Sequence, residues 1–453
     1  MISFQIRPLA RPLIGKIFPP PDKSITHRAL ILSAISKGKT KIRNFAFNDD
    51  CLATLYAFRS LGVRIKIYQS RIFIYGKGLK GLTRPLKAIS AGESGTTMRL
   101  LLGVLAGQVF RTRLIAEKSL SRRPMLRVIA PLRRMGAKIK SKVKTQKSRR
   151  EEYPPITIKG GNLKAITYKM PVASAQVKSA LLLAGLYCAG TTRIIEPIKT
   201  RDHTERMLKL FGAAIKKKAN TVSIRGGVEL ISPSLIDIPG DISCASFFLV
   251  AATIIPGSHL VLKSVGLNPT RIGIIRVLKR MGADIKIQKS PTKAGSRKMR
   301  EKIKNQNYEP RGDLIVKGSL LKATTVKKDE IPSLIDELPI LMVAACQAKE
   351  RTVFEGIEEL RLKETDRINS MMQNLRKMGA KIQLIQRNSR LVMRITGAKP
   401  LIGTKVSSFG DHRTAMSMVI AGLVASGQTR VDDVGCIKKS FPDFLKVLGS
   451  LRD

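Results

Sequence analysis

The sequence predicts an α/β protein of two domains, each made of three copies of a mixed helix and strand unit. Three observations carry this. The chain has 453 residues, which at roughly 100 to 200 residues per domain gives two to four domains with ample length for real cores. A helical run that ends in Gly and passes into an alternating, strand-like segment recurs along the chain. Between the recurrences lie dense runs of Ala, Leu and Gly, a composition suited to helices packed closely inside a domain.

The recurrence reads RSLGVRIKI at Arg59, RRMGAKIK at Arg133, KLFGAAIK at Lys209, KRMGADIKI at Lys279 and RKMGAKIQL at Arg376, with a degenerate KVLGSL at Lys446. Its glycines, Gly62, Gly136, Gly212, Gly282, Gly379 and Gly449, stand 74, 76, 70, 97 and 70 residues apart. A Gly there takes the left-handed position that ends a helix, and the alternation after it gives a half-buried strand. A second strand follows five of them: RIFIYGKG, PPITIKGG, TVSIRGG, DLIVKG and LVMRITGA, each closing in the Gly that a turn needs. The apolar runs SAQVKSALLLAGLYCAG and CASFFLVAATIIPG are expected to be core helices. The longest candidate for a membrane span, Cys244 to Ile255, carries Ser246 and Thr253 and falls short of the 18 or so residues of a membrane helix.

Composition narrows the function classes. Apolar residues make up 43% and charged residues 25%, so the chain is globular rather than disordered. Lys plus Arg is 83 against 32 for Asp plus Glu, a net +51, which favours anionic partners: nucleic acid, a membrane surface or phosphorylated metabolites. Two stretches are unusually basic, Arg133 to Arg150 and Lys286 to Lys304. Neither contains an aromatic residue and the chain has no Trp, whereas nucleic-acid binding wants aromatics for base stacking. Both read as solvated hairpins or loops. Five scattered cysteines with no C-x-x-C pair argue against a disulfide framework or zinc knuckle and fit a reduced cytosol. Arg7, Pro8, Arg11 and Pro12 interrupt the place where a signal peptide needs its apolar core. The expected location is cytoplasmic, without membrane partners.

Several motifs bear chemistry. In PPDKSITHRALILSA, Lys23 and Ser24 open a helical run with Arg28 four residues after Ser24, so backbone N–H groups, an ammonium and a guanidinium can converge on an anion. In AGESGTTMRLLLG, Gly92 and Gly95 permit close approach of a ligand, Thr96 and Thr97 offer hydroxyls, and Arg99 lies in the first turns of a helix. The Lys of a nucleotide P-loop is missing there. SRRP at Ser121, ASAQ at Ala173, RDHT at Arg201, DELP at Asp336, LKETDR at Leu362 and GDHR at Gly410 follow. In LKETDR, Lys363 and Arg367 are four apart and are expected to share a helical face with Glu364 beside them.

Taken in this order, K-S-x-x-H-R, G-x-S-G-T-T-x-R, S-R-R-P, S-A-Q-V-K-S-A, R-D-H-T-E, D-E-x-P, L-K-E-T-D-R and D-H-R followed by S-F-P-D, the chain resembles the 5-enolpyruvylshikimate-3-phosphate synthases from end to end. The resemblance implies an enolpyruvyl transferase fold of six βαβαββ repeats, with residues 1–21 and 238–453 forming one domain, residues 22–237 the other, and the active site in a cleft between them. It implies transfer of the enolpyruvyl group of phosphoenolpyruvate to the 5-hydroxyl of shikimate 3-phosphate, with release of phosphate, by a monomer without metal or organic cofactor and without specific nucleic-acid binding. By the same resemblance, Lys23, Gly95, Arg123, Gln176, Arg367, Arg413 and Lys439 line the phosphoenolpyruvate site. Lys23, Ser24, Arg28, Ser174, Gln176, Arg201, Asp336 and Lys363 hold shikimate 3-phosphate. The chain departs from the family pattern at Pro21, where Gly is usual and a stiffer approach to Lys23 is expected. It departs also at Glu93, where Asn is frequent and a carboxylate beside an anion site is unexpected, and at Ala175, which removes a Ser hydroxyl.

The reaction must deprotonate a hydroxyl, protonate the phosphoenolpyruvate methylene carbon and later remove a proton from it. Carboxylates among Lys and Arg would be ionised at neutral pH and suit a base. Asp336 is assigned to the hydroxyl, Glu364 to the methylene carbon and Lys23 to the departing phosphate; none of the four histidines is the base in the family that the chain resembles. The nearest alternative, UDP-N-acetylglucosamine enolpyruvyl transferase, carries a reactive Cys five residues before an Arg-Pro pair, where this chain has Lys118, and Lys-Asn in place of Lys23 and Ser24. A basic nucleic-acid-binding repeat protein is the alternative from charge alone.

Overall fold

The computed structural model describes residues 2–146, 149–289, 309–387, 390–397 and 399–451. Within them the chain divides into two units, each with its own apolar core. An inserted unit comprises Pro21–Ile238 together with Glu309, and a flanking unit comprises the described parts of Met1–Pro20, Pro239–Lys293 and Pro310–Asp453.

The helices alternate in kind. In the inserted unit the three repeats contribute α1 (Lys23–Ala34) and α2 (Asp49–Ser60), α3 (Gly95–Ala106) and α4 (Leu126–Arg134), and α5 (Ala175–Gly185) and α6 (His203–Leu210). In the flanking unit they are α7 (Ile242–Ile254) and α8 (Gly273–Arg280), α9 (Leu338–Gln347) and α10 (Arg367–Lys377), and α11 (His412–Leu423) and α12 (Phe444–Gly449). Odd-numbered helices are the apolar runs: α7, for one, is buried at all 13 positions. Even-numbered helices are mostly one-sided and lead into the recurring glycines. Gly62, Gly136, Gly212, Gly282 and Gly379 have φ between +81° and +109°, the left-handed conformation that Gly adopts without a Cβ penalty. Gly449 differs: it is the last residue of α12 and is not left-handed.

Each repeat closes with a small sheet. In the second repeat Ile89–Ser90 pairs parallel with Arg111–Ile115, which pairs antiparallel with Arg149–Lys159 and that in turn with Lys138–Gln146. The order strand, helix, strand, helix, strand, strand is the expected βαβαββ unit. In the last repeat, among the described residues, Thr429–Val431 pairs parallel with Lys405–Val406 and antiparallel with Phe4–Ile6 to give a three-stranded sheet. Along the strands one face is apolar, as with Ile65, Ile72 and Ile74, while Arg64, Lys66 and Arg71 face solvent, the period-two pattern of a sheet covering a core on one side. Much of the excess charge lies on such outward faces, where Lys39 sits 4.8 Å from the Phe73 ring centroid and Arg64 4.6 Å from that of Tyr75.

The stretch Arg133 to Arg150 includes the end of α4 and the Lys138–Gln146 strand of a hairpin. Most of Lys286 to Lys304 lies outside the described residues. All five cysteines are buried thiols, and among the described residues no helix is long and apolar enough to cross a membrane.

Candidate active site

In the inserted unit, the motifs fall at the N-termini of the three core helices. Asp22 caps α1 by accepting from the Ile25 N–H at 2.8 Å, Ser94 caps α3 at the Thr97 N–H at 3.1 Å, and Ser174 caps α5 at the Val177 N–H at 3.4 Å. Asp22 and Ser94 are among the preferred capping types, as is Ser174, and a helix N-terminus favours anions. Lys23 and Ser24 therefore open α1, Gly95 opens α3, and Gln176 is the second residue of α5. The approach at Pro21 is compatible with this cap.

Side chains tie the three termini together. Arg99 donates to the Gln176 Oε1 at 2.9 Å, to the Gly95 carbonyl at 3.4 Å and to the Pro124 carbonyl at 3.1 Å, while Gln176 donates to Thr96 Oγ1 at 3.0 Å. A Cβ placed on Gly95 would come within 2.6 Å of an Arg99 terminal nitrogen and 2.9 Å of one of Arg123, so both guanidinium groups lie over that residue. Lys23 pairs with Asp50 on α2 at 2.9 Å. Glu93 has a definite direction: its Oε1 accepts from the Ser119 N–H at 3.1 Å, bracing the segment that leads to Arg123.

Arg28 is buried on α1. Its guanidinium donates to Thr204 Oγ1 at 2.6 Å, to Ser179 Oγ at 2.9 Å and to the Ser24 carbonyl at 2.9 Å. All three are uncharged oxygens. Burial lowers its pKa to about 10, with Glu205 and Asp22 acting the other way. His27, on the same helix, is pushed down to about 3 by burial, against Asp50 and with Lys23 and Arg28, and its Nδ1 lies 2.7 Å from Thr54 Oγ1. It is a neutral structural imidazole rather than a base at neutral pH.

In the flanking unit Arg367 is the centre. Fully buried at the start of α10, it donates to Asp411 Oδ2 at 2.8 Å, Glu364 Oε2 at 2.5 Å and Asp336 Oδ1 at 3.4 Å. Burial opposes its charge, yet Asp411, Glu364 and Asp336 outweigh that and hold its pKa above the ordinary value. Asp411 is correspondingly held below the usual carboxylate range by Arg367, against its own burial, and it caps α11 at the Arg413 N–H. Arg413 donates to the Asp336 carbonyl at 3.1 Å, with its Nε 3.8 Å from Asp336 Oδ1. Lys439 ends the 3₁₀ turn Gly435–Lys439 and is half-buried.

One expectation fails here. Lys363 and Arg367 do not share a helical face, since Lys363 is extended (φ −86°, ψ −159°) after the 3₁₀ turn Glu358–Leu362. The reason is Asp366, which accepts from the Ile368 and Asn369 N–H groups at 3.1 Å and starts the helix at Arg367. An Asp preceding an apolar helical run is a capping signal, and it was readable in the sequence. Asp50, Ser179 and Thr204 had no such signal, being brought in from other helices. Arg99 did, because it lies one helical turn after Gly95.

Comparison with known proteins agrees with the motif order and the fold. The family model described as EPSP synthase (3-phosphoshikimate 1-carboxyvinyltransferase) matches residues 9–448. A protein of Shouchella clausii named 3-phosphoshikimate 1-carboxyvinyltransferase is 46% identical over 97% of each chain. One of the same name from Geobacter sp. is 46% identical over 99% of each. An EPSP synthase structure from Acinetobacter baumannii superposes with a TM-score of 0.83 at 41% identity, covering 99% of this chain and 98% of the other. With its repeats, motifs and near full-length matches in agreement, the chain belongs to the EPSP synthase (3-phosphoshikimate 1-carboxyvinyltransferase) family.

Proposed function

We propose a division of labour between the two units for the family reaction, in which the enolpyruvyl group of phosphoenolpyruvate moves to the 5-hydroxyl of shikimate 3-phosphate and phosphate is released. The inserted unit binds anions. Arg28, Ser24, Ser174, Gln176 and Arg201 hold shikimate 3-phosphate, and Lys23, Gly95, Arg123 and Gln176 receive phosphoenolpyruvate, with Arg99 keeping the Gln176 amide and the Gly95 backbone in place. The flanking unit handles protons and adds further cations. Asp336 takes the proton of the attacking hydroxyl; Glu364, ionised beside Arg367 and 24% exposed, first takes up a proton from water, passes it to the methylene carbon, and takes one back from that carbon as phosphate leaves. Lys363, Arg367, Arg413 and Lys439 bind the substrates' anionic groups, and Lys23 stabilises the departing phosphate.

The observation that carries this reading is the contrast between the two buried arginines. Arg28 hydrogen-bonds only to uncharged oxygens, while Glu205 and Asp22 act on it through the field alone, so no carboxylate occupies its fork and it can turn to a phosphate. Arg367 gathers three carboxylates, two of which are the assigned acid and base groups. A cytoplasmic monomer is the form proposed. A coupled assay of phosphate release tests the whole: release that requires both substrates, and falls on Arg28→Ala through the KM for shikimate 3-phosphate, supports it. Release independent of shikimate 3-phosphate contradicts it.

A further inference from the structure

A deeply buried charge cluster in the inserted unit has no place in the roles above. Lys178 lies on α5, two residues after Gln176, with a side chain 1% exposed. Its ammonium sits 3.0 Å from Glu196 Oε2 and 2.7 Å from Glu205 Oε1, carboxylates that are themselves 4% and 2% exposed, and 3.4 Å from the Thr200 carbonyl. Glu196 in turn accepts from the Thr200 N–H at 3.0 Å and from the Thr200 hydroxyl. An ammonium so completely removed from water is tolerable only when paired and hydrogen-bonded. The pairing therefore fixes the geometry of whatever it joins.

What it joins is the anion-binding machinery. Glu196 follows the strand Thr191–Ile195, and its bonds to Thr200 hold the backbone immediately before Arg201. Glu205 belongs to α6, one residue after Thr204, which accepts from Arg28 Nε. Lys178 precedes Ser179, whose hydroxyl accepts from Arg28 and lies 2.6 Å from Thr204 Oγ1. One side chain thus spans α5, the segment leading to Arg201 and the start of α6. Glu205 also acts on Arg28 electrostatically, favouring its charged form.

We propose that Lys178 is a positioning residue for shikimate 3-phosphate, acting through Glu196 and Glu205 to set Arg201, Thr204 and hence the Arg28 guanidinium. The role rests on the assignment of Arg28 and Arg201 to that substrate. Without the ammonium, Glu196 and Glu205 face each other's charge in a buried site and must move apart or take up protons, carrying Arg201 and Thr204 with them. Of the phosphoenolpyruvate contacts, Gly95 and Arg123 lie on other elements, and Gln176, though also on α5, is held separately by Arg99 and Thr96, so that site is spared.

The test compares Lys178→Met, which keeps the aliphatic length and removes the charge, with Glu205→Gln and with Arg28→Ala, each measured for KM of both substrates and for melting temperature. Expected for Lys178→Met is a rise of about tenfold or more in the KM for shikimate 3-phosphate, with the KM for phosphoenolpyruvate changed less than about twofold. Glu205→Gln moves the same KM in the same direction by a smaller factor and decides the matter if Lys178→Met does not fold. Equal changes in both KM values, or a lowered melting temperature with neither KM altered, overturn the positioning role and leave Lys178 a stability element. If Arg28→Ala also leaves the KM for shikimate 3-phosphate unchanged, the assignment of that substrate fails with it. If Arg28→Ala raises that KM while both other variants do not, only the role of Lys178 fails.

Discussion

Arg28, midway along α1, and Arg367, the first residue of α10, are both buried arginines, yet the groups they hydrogen-bond differ in charge. Arg28 is held by a threonine, a serine and a backbone carbonyl, and burial pulls its pKa down to about 10. Arg367 is held by Asp411, Glu364 and Asp336, and its pKa is driven up despite burial. A cation braced by neutral oxygens retains its attraction for an incoming phosphate. One surrounded by carboxylates serves to keep those carboxylates together and ionised in a place where their charges would otherwise repel. On the proposed reading the same residue type binds a substrate anion in both units, and only in the flanking unit does it also hold acid and base groups together.

Breaking the carboxylate-rich side has the largest expected effect. Arg367→Ala leaves Asp411 and Glu364 without their shared cation, and removing one partner of a buried pair costs about 3–5 kcal/mol. Urea unfolding is expected to show a loss of that order, together with loss of turnover; an unchanged midpoint would mean that the carboxylates are satisfied without Arg367. Arg28→Lys is next. It keeps a charge but loses the planar fork that reaches Thr204, Ser179 and the Ser24 carbonyl together, so the KM for shikimate 3-phosphate rises by about 10- to 100-fold, a loss of roughly 1.4–2.8 kcal/mol, while Arg28→Ala exceeds it. An equal rise for phosphoenolpyruvate would erase the distinction between the two ligands' sites.

A smaller effect concerns pH. His27 is held to about 3 in the folded state against an ordinary 6.5, so as pH falls below 6.5 the unfolded chain takes up a proton that the folded one does not. Its contribution favours folding above pH 6.5 and is lost as pH falls toward about 3, at about 1.4 kcal/mol per pH unit. Between pH 7.5 and 5.0, His27→Gln is expected to reduce the drop in unfolding free energy by about 2 kcal/mol; parallel curves for the two proteins would show that His27 is not the titrating group. Smallest is Gly95→Ala. Gly95 is not left-handed and the atoms nearest its missing Cβ are guanidinium atoms of Arg99 and Arg123, at the ends of long side chains, so folding survives and the melting temperature moves by a few degrees at most. The methyl displaces Arg123 and Arg99, raising the KM for phosphoenolpyruvate several-fold and the inhibition constant for glyphosate, a longer anion, by more. Equal changes would argue against crowding of the longer ligand.

Much of this architecture is legible in the sequence because it is local. Gly62 and its four counterparts end helices for a reason confined to one residue, and the apolar composition of α7 is enough to predict its burial. Asp22, Ser94 and Ser174 announce their helices by type. Other features depend on distant partners: Lys23 meets Asp50, and Arg28 meets Ser179 and Thr204, across 27, 151 and 176 residues. No periodicity encodes such contacts. LKETDR shows a third situation, in which i, i+4 spacing suggested one helical face but the capping preference of Asp366 prevailed and left Lys363 outside the helix. Glu93 shows a fourth: it bonds to a backbone N–H of the Arg123-bearing segment, a role that charge alone did not suggest.

The central claim is that the inserted unit supplies binding and the carboxylates around Arg367 supply proton transfer, and incorporation of solvent deuterium into the phosphoenolpyruvate methylene carbon tests it most directly. With Glu364→Gln, calorimetry should still record shikimate 3-phosphate binding within a few-fold of the unaltered protein, while deuterium incorporation at the methylene carbon is abolished. Incorporation at the unaltered rate in that variant would contradict the account.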